Sequence, residues 1–149
     1  MGKEIIIVTI SLGNDGAERI LTELARQWHH DGHRITVIQT SPNRYGTEYA
    51  LPEGIEQIQI HTTSSNKILR FLQEIKALIG ILKQRPNATC LSFLSASSFI
   101  LAISSWFVKN RMVFSERNNP RKVPVGKHQQ MLRNFAFRFA DAIVFQTED

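Results

Sequence analysis

The run Glu4-Ile5-Ile6-Ile7-Val8-Thr9-Ile10, followed by Ser11-Leu12-Gly13-Asn14-Asp15-Gly16 and then by the amphipathic stretch Ala17–His30, decides the fold. An almost wholly apolar run predicts a strand covered on both faces, which is a feature of parallel sheets. In the stretch that follows, Ile20, Leu24 and Trp28 recur at i, i+4 and i+8 with Leu21 and Ala25 beside them, the spacing of a helix with one buried face. Gly32 supplies its C-terminal stop. A strand, a glycine turn and a helix in this order define a βα unit.

The pattern repeats along the rest of the chain. Arg34–Thr40 predicts the second strand, residues 41–54 with Pro42, Gly46 and Pro52 a long loop, and Ile55–Ile60 a more polar strand suited to a sheet edge. A long helix over about Asn66 to Gln84 carries the stripe Ile68, Phe71, Leu72, Ile75, Leu78, Ile79 and Leu82, and Pro86 closes it. Ala88–Phe93, Arg111–Ser115 and Ala142–Gln146 are further strands, and Lys127–Ala140 is a further helix. Strands alternating with helices imply a doubly wound, mainly parallel Rossmann-like α/β sheet of about six strands with helices on both faces, formed by residues 1–149 as one domain. The sixth strand ends three residues before Asp149, so an uncovered apolar patch and self-association are expected at that end.

Composition narrows the function classes. With 149 residues, 42% hydrophobic and 21% charged, the chain is neither a disordered segment nor, with one cysteine, a disulfide scaffold. A reducing, cytoplasmic setting is expected, because the first strand begins almost at Met1 without a secretory leader pattern. Pro86–Val108 contains no charge and is long enough to span a bilayer. Its many hydroxyls instead predict a buried strand and a buried helix, with Ser95 as N-cap and Phe99, Ile100, Ile103, Trp106 and Phe107 as the packing stripe.

Charge is concentrated late in the chain. Residues 1–108 carry ten Lys and Arg against nine Asp and Glu, whereas 109–138 carry eight against Glu116 alone. An anionic partner is expected to meet this stretch. Within it, Arg133, Phe137 and Arg138 place an aromatic among cations and point to an anionic membrane surface. Phe137 packing against further protein is the plainer alternative. Nucleic acid is not expected, since no reading helix or stacking platform accompanies the charge.

In an open α/β sheet, ligands sit outside the carboxyl ends of the strands, which directs attention to the turns there. Gly13 permits a tight turn, and Gly16 lets an anion approach the free N–H groups of Gly16, Ala17 and Glu18 at a helix start. The plainer reading is a βα turn with Asp15 as N-cap. Neither G-x-G-x-x-G nor a P-loop is present, which argues against dinucleotide dehydrogenases and P-loop NTPases. After the fifth strand, Ser115-Glu116-Arg117-Asn118-Asn119-Pro120 offers Glu116 and Arg117 to sugar hydroxyls or a phosphate, with Asn118 to orient either, or else forms a charged surface loop. His29, His30 and His33 mimic a metal motif, but Gly32 interrupts the helical spacing and no metal is expected. Cys90 is a buried structural thiol by default.

The first strand with its Ser11-Leu12-Gly13 turn, Gly16-Ala17-Glu18-Arg19, Gly32-His33, residues 115–120 and the Asp141–Thr147 strand, taken in order, resemble the N-terminal domain of family-4 glycosyltransferases. The Ser115–Pro120 stretch looks most like the bacterial branch that extends capsule, lipopolysaccharide or lipid-linked oligosaccharides. The resemblance implies a GT-B architecture, in which the N-terminal half receives a sugar or lipid-linked sugar acceptor. A C-terminal half, lying beyond Asp149, would bind a UDP- or GDP-hexose donor through paired glutamates. It further implies a retaining hexosyl transfer without a metal or other cofactor, with Gly13 and Gly16 facing the donor diphosphate, and activity at the cytoplasmic leaflet. Two positions depart from the pattern. Asp15 replaces a glycine before Gly16-Ala17-Glu18-Arg19, and Glu116 stands where a histidine is frequent beside the transferred sugar. A stand-alone anion-binding or membrane-surface module is the alternative.

Overall fold

The computed structural model describes residues 2–13, 16–41, 49–93, 95–116 and 126–145, with backbone alone at Ser95, Ala96, Glu116 and Gln129. Six strands form one sheet: β1 (Glu4–Thr9), β2 (Arg34–Gln39), β3 (Glu56–Gln59), β4 (Thr89–Ser92), β5 (Arg111–Glu116) and β6 (Ala142–Phe145). Every pairing is parallel and the order is β3-β2-β1-β4-β5-β6. The expected Rossmann-like α/β sheet is therefore the fold present. Strand order reverses between β1 and β4, where a crevice opens at the carboxyl edge of such sheets.

The helices are α1 (Gly16–His30), α2 (Lys67–Lys83), α3 (Ser95–Ser104) and α4 (Lys127–Phe137), with a 3-10 turn at Ser105–Phe107. Two cores lie on opposite faces of the sheet. Ile7, Ile35 and Val37 meet Leu21 and Ala25 of α1 on one face. Ile6, Val8, Met112 and Phe114 meet Leu78, Leu82, Leu101 and Ala136 from α2, α3 and α4 on the other. β1 contributes to both, which is why its sequence is apolar almost throughout.

Local chemistry sets the boundaries. Asn66 caps α2, its Oδ1 accepting from the N–H groups of Ile68 at 2.9 Å and Leu69 at 3.3 Å. Gly32 takes φ +85° after α1, a conformation that glycine adopts without steric cost. β3 is an edge strand, as its alternating polarity predicts. Its Glu56 accepts from both Arg85 Nη2 and Thr36 Oγ1, so this carboxylate is satisfied at the rim.

Three local expectations change. Ser95 opens α3 from inside the helix instead of capping it, and α4 stops at Phe137, three residues short of Ala140. Trp106 and Phe107 leave the packing stripe: they sit in the 3-10 turn, where the chain has already left the helix, and both are exposed. The apolar segment after Pro86 does divide into β4 and α3, and among the described residues no helix is long and apolar enough to cross a membrane. On the α1 side, β4 and β5 with Val144 and Phe145 of β6 line a cavity of about 600 Å³ that also meets Trp28 of α1.

Candidate functional site

The carboxyl edge of the sheet brings three strand ends together. Val8 of β1 pairs with Ser92 of β4, and Ser92 with Phe114 of β5, so the chain leaves these strands side by side. β1 and β5, which lead into the glycine turn and end in Glu116, are thus separated by β4 alone, about 10 Å between strand axes at the spacing of parallel strands. Gly13 and Gly16 flank this crevice in chain position, and Glu116 closes β5 at the same edge. The side chain of Glu116, together with Asp15, Arg117, Asn118, Asn119 and Pro120, lies outside the described residues.

The glycine turn is built around a buried carboxylate. Glu18 is buried, and Ser11 Oγ donates to its Oε1 at 3.0 Å. A Cβ on Gly13 would stand 3.2 Å from Glu18 Oε2, so the absence of a side chain there lets the loop close over the carboxylate. An acidic group in the first turn also suits the positive end of the α1 dipole. Thr22 Oγ1 donates to the Glu18 carbonyl and Thr9 Oγ1 to the Ser11 carbonyl, fixing the turn from both sides.

Hydroxyls form the neighbouring floor. Ser92 and Ser98, both buried, share a hydrogen bond of 2.6 Å where β4 leads into α3. Gln39, fully buried at the end of β2, has an Nε2 without a partner among the described residues. Sequence reasoning passed over Glu18, Ser92, Ser98 and Gln39 as side chains of the site. Only the serine-rich start of α3 hinted at a polar floor.

The remaining candidates are placed elsewhere. Phe137 is partly buried against the helical-side core and meets Phe145 edge-on at 6.2 Å between ring centroids, with the Arg133 guanidinium 6.0 Å from its ring. Arg138 is exposed at the C-cap of α4. His33 Nδ1 accepts from the Lys3 backbone N–H and His30 faces Asp31. Among the described residues, no group of three or more His, Cys, Asp or Glu comes together to hold a metal.

Cys90 lies in β4, fully buried, and burial pushes its thiol up from 9.0 to about 12, helped by the Glu4 carboxylate. The neutral thiol is thus favoured in the folded chain. Stability from this group is fully present below pH 9 and is lost as pH rises towards 12. Native protein at pH 8 is expected to resist a thiol-specific reagent that labels the urea-unfolded chain rapidly. Equal labelling rates in the two states would contradict the burial of β4.

An all-parallel six-stranded sheet with this order defines the class as a Rossmann-like α/β domain, the fold of the N-terminal half of GT-B glycosyltransferases. Among solved structures, the chain superposes on sucrose-phosphate synthase from Thermosynechococcus elongatus with a TM-score of 0.72 at 7% identity, covering 95% of this chain and 41% of that one. HepE from Anabaena, solved with UDP and glucose, gives 0.72 at 16% identity over 95% and 37% of the two chains. MurG from Acinetobacter baumannii gives 0.62 at 14% identity over 96% and 41%. No family model and no curated protein matches the chain. It spans less than half the length of each of these structures, and at such identities the likeness is one of fold.

Proposed function

We propose that the chain is the N-terminal, acceptor-receiving domain of a retaining glycosyltransferase. The enzyme transfers a hexose from a UDP- or GDP-hexose to a lipid-linked or polysaccharide acceptor in the cytoplasm, as in capsule, lipopolysaccharide or glycan biosynthesis. The observation that carries the reading is the convergence of the glycine turn, the hydroxyl floor and the end of β5 at the β1–β4 switch point of a fold shared with glycosyltransferases. Glu18, Ser92 and Ser98 are buried and hydrogen-bonded within the protein, so they hold this edge in shape, while Arg117 and Asn118 are the groups proposed to meet sugar hydroxyls.

The donor is held by a second, C-terminal domain outside residues 1–149, and the present chain is inactive alone. Gly13 and Gly16 leave room beside the donor diphosphate, Arg117 and Asn118 bind acceptor hydroxyls, and Glu116 assists the transfer. The bond from the anomeric carbon to the diphosphate breaks while the acceptor oxygen bonds that carbon on the same face, and the acceptor hydroxyl's proton passes to the departing diphosphate oxygen. Stabilising the charge that develops on the departing diphosphate is the largest contribution to rate, and the α1 N-terminus favours such charge.

Calorimetric titration with UDP-glucose tests the division of labour. The chain alone is expected to show no saturable binding tighter than about 1 mM, equivalent to about 4 kcal/mol of binding free energy. Micromolar binding that disappears when UDP replaces UDP-glucose would contradict it.

A further inference from the structure

The apolar stripe Ile20, Leu24 and Trp28 that marks α1 as amphipathic is not what seats the helix on the sheet. The buried residues of α1 are Glu18, Leu21, Thr22 and Ala25, whereas Ile20 is 36% exposed and Leu24 and Trp28 are part-buried at the margin of the core. All three stripe residues instead line the cavity of about 600 Å³ beside β4 and β5. That volume lies within the range of about 300–1,000 Å³ typical of small-molecule sites.

Strand register gives the cavity a polarity. Parallel pairing aligns Ile5 with Thr89 and Thr89 with Arg111, then Leu91 with Val113, and finally Ser115 with Val144. The middle of the floor is therefore hydrocarbon, while Thr89, Arg111 and Lys3 stand at the amino edge of the sheet, away from the glycine turn. From Arg111 to Ser115 the floor runs about 13 Å along β5. Lys3 and Arg111 are both exposed, and among the described residues neither makes an ion pair. No Asp or Glu lines the cavity.

We infer that this cavity binds a single-chain amphiphile with an anionic head, a fatty acid anion being the simplest. Its hydrocarbon lies against Leu24, Trp28, Leu91 and Val113, and its head pairs with Lys3 and Arg111. Removing apolar surface from water on both sides drives the binding, and a guanidinium beside an ammonium suits a carboxylate. A bare saccharide would leave this floor without an apolar partner, and an uncharged oil would leave the two cations without one. The site lies outside the carboxyl-edge crevice and does not depend on glycosyl transfer.

Tryptophan fluorescence tests the assignment. The chain has two tryptophans, so in a Trp106→Phe background Trp28 is the reporter and stands inside the cavity. Decanoate at pH 8 is expected to change its emission saturably below about 1 mM. Decyltrimethylammonium, with the same hydrocarbon and the opposite charge, is expected to bind at least about tenfold more weakly. Lys3→Glu combined with Arg111→Glu changes two surface positions and is expected to reverse that order, with circular dichroism confirming the fold. Val113→Phe fills part of the floor and is expected to weaken both probes about tenfold. No saturable change at millimolar decanoate, equal affinity for the two probes, or an order that survives charge reversal overturns the inference. A dimer in solution whose Trp28 emission is indifferent to decanoate also overturns it and assigns the cavity to a second copy of the chain.

Discussion

Replacing Phe114 by alanine is expected to lower the unfolding free energy by about 3–5 kcal/mol, as deletion of a fully buried aromatic side chain does. Phe114 is completely inaccessible in the middle of β5 and faces the core built by α2, α3 and α4. Single domains of this size are stable by only about 5–15 kcal/mol, so the variant should begin to unfold at low urea. Phe145→Ala is the matched control. Phe145 is 61% exposed on the edge strand β6, and its ring contact with Phe137 is worth about 1 kcal/mol at most. Urea titration followed by circular dichroism distinguishes the two. Similar losses for both would contradict the sheet order that makes β5 internal and β6 an edge.

Glu18→Ala is the second large effect, expected to cost about 2–3 kcal/mol because a buried charge-assisted hydrogen bond is lost and the loop above it loses its support. Ser11 Oγ would lose its acceptor and Gly13 the carboxylate it encloses. Glu18→Gln keeps the shape and the acceptor oxygen, and should lose less than half as much. Equal losses for the two variants would mean that the carboxylate's charge, which glutamine lacks, holds the turn, and not its shape or its one acceptor oxygen. Under the proposed function the same substitution in the full-length enzyme should reduce transfer, since the turn would then place Gly13 and Gly16 beside the donor diphosphate.

Much of the fold is written locally in the sequence. Ile5–Val8 is apolar at every position because the strand is packed on both sides, and Asn66, Gly32 and Pro86 mark helix ends through local chemistry that requires no tertiary knowledge. The fate of the helix ends was less legible. α2 spans 17 residues, about 25 Å, whereas the strands beneath it span four to six residues, at most about 20 Å. Its first turns therefore overrun the sheet, and Ile68 and Leu72 continue the apolar stripe without a floor to pack on. Trp106 and Phe107 keep the spacing of the α3 stripe, but the helix has ended before them.

The site was half legible for a related reason. Glycines at 13 and 16 announce a turn where a ligand can approach, and the doubly wound pattern says which edge of the sheet it occupies. Glu18, by contrast, looks like any acidic residue in a first helical turn until the Ser11–Gly13 loop is seen folded over it. Ser92 and Ser98 meet only because β4 turns directly into α3, a contact that neither periodicity nor composition encodes.

The central claim is that the carboxyl edge of the sheet receives a saccharide acceptor. Nitrogen-15 correlation spectra of the chain, recorded during titration with short oligosaccharides and, separately, with UDP-glucose, test it directly. The account predicts saturable saccharide shifts concentrated at Ser11, Gly13, Gly16, Ser92 and residues 115–118, with weak and unsaturated changes from UDP-glucose. Tight hexose-dependent UDP-glucose binding, or saccharide shifts confined to the cavity beside Trp28 and Phe145, would contradict it.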